Sequence, residues 1–243
     1  MARHMNSLEY RISPEIFVAH PDYFRGVVVV GPIDNRHANP DLEDVLRAAE
    51  EAVRESAVSN IAADPRVAAW REAFREFGAK PSEHRSSIEA LIRRVVKGDQ
   101  IPSINPLVDV GSIVSLRHVL PAGVHPLAGG QQVLELRRAT ADDTFVPAGS
   151  TEAECPGENE IVFTSGREVL TRRWCWRQAA ATQTLPETDH VFFNVDGLSP
   201  VGFDGVVAAM RDIEELVMLH FGKAPIYSRI LTRSNAEFSM AYG

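Results

Sequence analysis

The chain has only two cysteines in 243 residues, Cys155 and Cys175, and they form neither a CxxC pair nor a Cys/His ligand spacing. A disulfide framework and a structural zinc site are therefore not expected, and both thiols are read as reduced. Long apolar runs are also missing. No stretch approaches the roughly 18 residues needed to cross a bilayer, and the opening Met1-Ala-Arg-His-Met-Asn lacks the apolar core of a signal peptide. A cytoplasmic protein without a membrane partner is the expectation. The usual catalytic signatures are absent too: no Walker loop, no Gly-x-Ser-x-Gly, no His-Glu-x-x-His and no dinucleotide fingerprint. Gly123 to Gly130 contains glycine but not at phosphate-loop spacing, so no cofactor is expected. Clusters with metal-ligand spacing are lacking, which predicts metal independence.

Surplus positive charge is a further absence, since the formal net charge is −8. A protein that coats nucleic acid through its phosphates needs an excess of Lys and Arg, so that class is disfavoured. Arginine is nevertheless concentrated locally, at Arg85, Arg93 and Arg94 with Lys97, at Arg137-Arg138, and at Arg172, Arg173 and Arg177. Two readings stand: a local patch for transient contact with nucleic acid, or ordinary solvated faces.

An apolar content of 44% is enough for a substantial core. Val27 to Val30 reads as a buried strand. Asn39-Pro40 and Asp64-Pro65 each join a capping residue to a proline suited to the first helical turn, and apolar residues at helical spacing follow both. Ser86 to Lys97 keeps helical spacing and stops at Gly98. Asn105 to Leu116 predicts a short helix buried on most sides, whose polar residues need internal partners. Beyond Pro121 come short β-type runs at 133–136, 144–146, 161–163, 169–171 and 191–195, then a helix over 206–221 and a strand over 226–232. Helices, then strands, then helix and strand indicate an α+β fold. The expectation is one integrated domain over residues 1–243, a layered structure with a mixed or antiparallel β-sandwich-like sheet flanked by helices.

The segment Arg85-Ser-Ser-Ile-Glu-Ala-Leu-Ile-Arg-Arg-Val-Val-Lys-Gly, with Pro102-Ser-Ile-Asn-Pro-Leu-Val-Asp-Val-Gly-Ser-Ile-Val-Ser115 after it, resembles the B3/B4 domain of the bacterial phenylalanyl-tRNA synthetase β chain. Leu120-Pro-Ala-Gly123, Leu134-Glu-Leu-Arg137, Arg173-Trp-Cys-Trp-Arg-Gln178 and Val191-Phe-Phe-Asn-Val-Asp-Gly197 follow in the same order as in that domain, and the resemblance is clearest over residues 70–221. It implies a free-standing editing-type module that hydrolyses the aminoacyl ester of mischarged tRNA in trans. It also implies the tRNA acceptor end as partner and an amino-acid moiety as ligand. Where the family pattern has Thr-Asn after Val-Asp-Val, this chain has Gly111-Ser112: the glycine opens space, and the serine keeps a hydroxyl but loses the amide. Tyrosine specificity is not carried over.

The expected pocket combines the Asn105 to Ser115 segment, the Leu120 to Gly130 loop and the strand around Asn194. Ser112, Ser115 and His125 are the catalytic candidates, the serines orienting a water and the histidine acting as base. His125 ranks first among eight histidines because the synthetase domain carries a histidine near that loop. Asn105, Asp109, Asn194 and Asp196 are the substrate-binding candidates. Asp109, in an apolar helix, needs a cationic or backbone partner, and its alternative role is structural, bonded to an arginine.

Arg93, Arg173, Trp174, Trp176 and Arg177 are the RNA-binding candidates. On a strand the two tryptophans share one face and suit base stacking, although tryptophans anchoring a sheet are the alternative. Two other functions remain open: a non-catalytic RNA- or amino-acid-binding module, favoured by Gly111-Ser112, and a small-molecule hydrolase using the same pocket. The sequence does not fix an oligomeric state.

Overall fold

The computed structural model describes residues 6–56 and 60–243, and these form two β-sheets and a group of helices. The chain begins with β1 (Asn6–Ile12), α1 (Pro14–Ala19) and β2 (Phe24–Val30), then runs through α2 (Pro40–Glu55), α3 (Pro65–Glu76), α4 (Ser87–Val96) and α5 (Pro106–His118). Next come β3 (Ala122–Pro126), β4 (Gln131–Arg138), β5 (Ile161–Ser165), β6 (Glu168–Arg172), β7 (Arg177–Gln178) and β8 (Val191–Gly197). The chain finishes with α6 (Gly202–Phe221), β9 (Tyr227–Leu231) and β10 (Glu237–Tyr242).

The larger sheet has the order β10-β1-β4-β5-β6-β7 and is mixed, because β1 and β4 run parallel while its other pairs are antiparallel. The smaller sheet, β3-β8-β2-β9, is antiparallel throughout. Tyr10 and Phe163 of the larger sheet meet Phe192 and His125 of the smaller one at ring separations of 5.6–6.0 Å, so aromatic side chains join the two sheets. The α+β expectation holds, with two sheets where one was foreseen.

The helix starts follow the sequence signals. Asn39 Oδ1 accepts from the Leu42 amide, Asp64 from Arg66, Ser86 Oγ from Glu89 and Asn105 Oδ1 from Val108, and Pro40, Pro65 and Pro106 open three of the four helices. Each such cap satisfies an otherwise orphaned donor and is worth about 1 kcal/mol. Helix α5 is buried along most of its length because it lies among α2, α6 and β3. Gly111 permits that approach to β3: a Cβ there would stand 3.1 Å from the Ala122 carbonyl oxygen.

Two expectations fail. Residues 144–146 make only isolated bridges, from Thr144 to Glu168 and from Phe145 to Glu154. Residues 173–176 are not a strand but the turn joining β6 to β7, with Arg173 and Trp174 in left-handed conformations at φ 46° and 63°. Trp174 and Trp176 therefore do not share a strand face. Trp174 is buried against Trp70 and Tyr23, and Trp176 is half-buried between His84 and Arg173.

Candidate functional site

Strand β8 positions the site. It is buried along its whole length, and its alternation sends Phe192, Asn194 and Asp196 to one face and Val191, Phe193 and Val195 to the other. On one side β3 brings Gly123 opposite Asn194 and His125 opposite Phe192; on the other β2 brings Arg25 opposite Asp196. The turn after β6 closes over this face. The result is a cavity of about 210 Å³ with Phe163, His125, Asn194, Asp196, Arg25 and Thr171 among its walls and Trp176, Arg177, Gln178 and Ser87 toward its outer side. Pockets for drug-sized ligands run to roughly 300–1,000 Å³. This one suits a single small group.

The inner end is held by a buried charge pair. Arg25 donates from Nε and Nη2 to the two carboxylate oxygens of Asp196, at 2.6 and 3.1 Å, and both side chains are almost fully buried. Tyr23 donates its hydroxyl to the same carboxylate. Arg25 Nη1 donates to the Tyr10 hydroxyl at 2.9 Å, and Tyr10 in turn donates to Asn194 Oδ1 at 2.8 Å. Every charge in this group has a direct partner, which a dry environment demands. Burial raises the ionisation of both tyrosines well above the ordinary phenol range, so they remain donors.

His125 stacks on Phe192 with ring centroids 5.2 Å apart. Its Nδ1 lies 3.1 Å from the amide nitrogen of Gln178, which also donates to the Val124 and Thr182 carbonyls. The Gln178 amide has two hydrogens for these three neighbours; with one given to Nδ1 and the other shared by the carbonyls, Nδ1 accepts and the ring proton sits on Nε2. Burial first, and the Arg25 charge second, push the imidazole pKa down to about 3. At neutral pH this histidine is an uncharged hydrogen-bond donor and a poor base. Gly123 leaves room before it, since a Cβ there would lie 3.6 Å from Nε2.

Among the residues singled out from the sequence, His125, Asn194, Asp196, Trp174, Trp176 and Arg177 line this cavity, while Ser112, Ser115, Asn105, Asp109, Arg93 and Arg173 do not. The Asn105 to Ser115 segment does not form a wall, contrary to expectation. Ser115 Oγ donates to the Gly111 carbonyl at 2.8 Å and accepts from the Ala122 amide at 3.0 Å, which fastens α5 to β3. Ser112 is half-buried on α5, outside the cavity wall. Asn105 caps α5 and donates to the Thr184 carbonyl, 2.8 Å away. Asp109 pairs with no arginine among the described residues: it accepts from Ser103 Oγ at 2.6 Å and the Ile104 amide at 3.3 Å, and burial raises its pKa. Arg93 is held by Glu89 at 2.8 Å. Arg173 lies 4.4 Å from the centre of the Trp176 ring and 3.7 Å from Glu160.

Arg25, Tyr10, Tyr23 and Gln178 were not anticipated. One sequence signal did exist: Arg25 interrupts the apolar run of β2, and a lone charge in a buried strand requires a carboxylate partner. Among the described residues no group of three or more His, Cys, Asp or Glu side chains could hold a metal ion, and no described helix is long and apolar enough to cross a membrane.

A family model described as the B3/4 domain matches residues 69–222. The chain belongs to the B3/4 domain family. Its cavity draws on both the matched segment and the residues before it, because β2 supplies Arg25. Among solved structures this B3/4 protein is similar to an N-terminal fragment of the phenylalanyl-tRNA synthetase β-subunit from Pyrococcus horikoshii, with 10% identity and a TM-score of 0.46. That match covers 97% of this chain and 54% of the other, so the chain spans about half the length of the fragment. No curated protein matches the chain.

Proposed function

We propose that this B3/4 protein receives the aminoacyl group of a mischarged tRNA in the cavity over the face of β3 and β8 and hydrolyses the ester in trans. The carrying observation is the juxtaposition of two side-chain donors, His125 Nε2–H and the Asn194 amide nitrogen, on either side of Gly123. The Asn194 nitrogen has no hydrogen-bond partner among the described residues, whereas its oxygen is taken by Tyr10. Two such donors fit the oxygen of an ester carbonyl. When water adds to the carbonyl carbon, the π electron pair moves to that oxygen, and fixed donors stabilise the charge that develops. Collapse of the tetrahedral species breaks the bond to the ribose oxygen, which takes up a proton the water gives up, leaving free amino acid and tRNA.

The cavity volume matches one amino-acid side chain better than a nucleotide. On this reading the acyl group takes the interior and the terminal adenosine the rim, beside the half-buried Trp176 and the Arg177 cation. Ester hydrolysis suits these residues because an aminoacyl ester needs positioning and oxyanion stabilisation rather than a strong nucleophile. Cys175 is no such nucleophile, since burial pushes its thiol well above the ordinary range.

The Asp196 carboxylate in the wall is taken by Arg25 and Tyr23, and His125 is a poor base, which favours a second reading, a module that binds charged tRNA without turnover. A panel of purified misacylated tRNAs separates the two. Ester loss above the spontaneous rate for at least one amino acid is the expected result. Retention of charged tRNA without turnover selects the binding module, and neither binding nor turnover on any member of the panel overturns both readings.

A further inference from the structure

We infer that Tyr10, held by Arg25, is a positioning residue that locks the side-chain amide of Asn194 with its nitrogen facing the cavity. The inference rests on the reading of the cavity as an aminoacyl-ester site, and it supplies what that reading lacks, a reason for Asn194 to present a donor. An asparagine amide has two orientations of similar shape, one offering Nδ2 and the other Oδ1. Only the first stabilises an oxyanion. An amide free to flip would spend part of its time presenting a carbonyl oxygen to a developing negative charge.

The hydrogen bonds remove that freedom in sequence. A guanidinium has no acceptor, so the contact from Arg25 Nη1 to the Tyr10 oxygen, 2.9 Å long, occupies a lone pair of the phenol. The phenol proton must then be given elsewhere, and it goes to Asn194 at 2.8 Å. A hydroxyl that is donating can be met only by Oδ1, so Nδ2 turns into the cavity. Arg25 cannot swing away, because Asp196 grips its Nε and Nη2 from the neighbouring strand. Nor can Tyr10, whose ring stacks on Phe238 at 5.4 Å and meets Phe163 and Phe192 at 5.4 and 6.0 Å. Tyr10 and Arg25 come from β1 and β2, both before the segment matched by the family model. The N-terminal strands thereby set the polarity of a group that the B3/4 segment supplies.

The test is Tyr10→Phe in the full chain, which keeps the ring packing and removes the hydroxyl. The first readout needs no substrate: nitrogen-15 NMR of the Asn194 side-chain amide. The wild-type amide is expected to be rigid in one orientation, and the variant amide to lose that order, its order parameter falling below about 0.6. The second readout is single-turnover deacylation, where kcat is expected to fall about tenfold or more with KM within about twofold, since misplacing a catalytic group by about an ångström costs up to about 10²-fold. In an Asn194→Ala background, Tyr10→Phe is expected to add no further loss of kcat, because the clamp acts only through that amide.

An Asn194 amide equally rigid in wild type and variant, or an independent loss in the Asn194→Ala background, overturns the inference. Failure of the wild type to deacylate any substrate overturns the ester-site reading instead, and the NMR comparison still decides the clamp. Should Tyr10→Phe not fold, Arg25→Lys keeps a cation beside Asp196 while removing the Nη1 donor, and the same amide loosening is expected.

Discussion

The inner end of the cavity and its rim are built on opposite principles. Inside, Arg25, Asp196, Tyr10, Tyr23 and Asn194 form a linked set in which each side chain is bonded to another, leaving the Asn194 amide nitrogen toward the cavity. At the rim, Trp176 ends the turn and Arg177 begins β7, and among the described residues the Arg177 side chain has a long contact of 3.4 Å to the Ala148 carbonyl. Groups that must hold a reacting atom benefit from rigidity, because geometry lost there is rate lost. Groups that meet a large, flexible carrier benefit from exposure, since a solvated arginine contacts phosphate without a prior partner to break. On the proposed function the inner end would govern chemistry and folding together, and the rim carrier binding.

The largest expected effect follows from breaking the inner pair. Asp196→Ala strands the Arg25 guanidinium in the core, and removing one member of a buried ion pair costs about 3–5 kcal/mol. Denaturant unfolding of this variant is expected to show a loss of that size or outright failure to fold. A loss below about 1 kcal/mol would mean that water reaches the inner end and that the contrast with the rim is false.

A comparable effect is expected from pH. The folded-state pKa of His125 is depressed to about 3, against 6.5 for an unperturbed imidazole. Its burial as a neutral ring is therefore fully tolerated above pH 6.5, and stability drains as pH falls from 6.5 toward 3 because the unfolded chain takes up the proton first. The cost at the acid end is on the order of 4 kcal/mol. His125→Gln is expected to flatten the dependence of unfolding free energy on pH between about 6.5 and 4. An unchanged slope would place the sensitivity in other groups.

The smallest effect on folding is expected at the rim. Trp176→Ala with Arg177→Ala changes partly exposed side chains, and stability is expected to fall by no more than about 1–2 kcal/mol. Binding of charged tRNA is expected to weaken about tenfold and lose part of its salt dependence, while hydrolysis of a small aminoacyl ester is kept. Equal losses on both substrates would move these residues into the inner set.

Much of the helical part was legible from the sequence, because caps, N1 prolines and apolar spacing are local signals that α2 to α6 obey. Strand β1 was missed although Leu8, Tyr10 and Ile12 alternate inward, because its exposed positions are polar enough to read as loop. The Arg173 to Trp176 segment was misread for a different reason: two consecutive left-handed residues without glycine carry no sequence mark. The site was half legible. His125, Asn194 and Asp196 stood out as polar residues in motif-bearing strands. The roles given to Ser115, Asn105 and Asp109 failed geometrically, because a polar residue in an apolar helix has backbone groups to satisfy before it is free for chemistry, and all three are spent in that way. The pairing of Arg25 with Asp196 joins residues 171 positions apart and is visible only once β2 and β8 are adjacent.

On the proposed function, His125 and Asn194 stabilise the oxyanion of an aminoacyl ester while the rim holds the carrier. Single-turnover deacylation of the tRNA substrate selected from the misacylated panel, with wild type, His125→Ala and Asn194→Ala side by side, tests it most directly. Each variant is predicted to lose about 10²-fold in rate, the scale for removing one oxyanion donor, with its affinity for charged tRNA within about twofold of wild type. Rates unchanged in both variants, or losses that appear only as weaker tRNA binding, would contradict it.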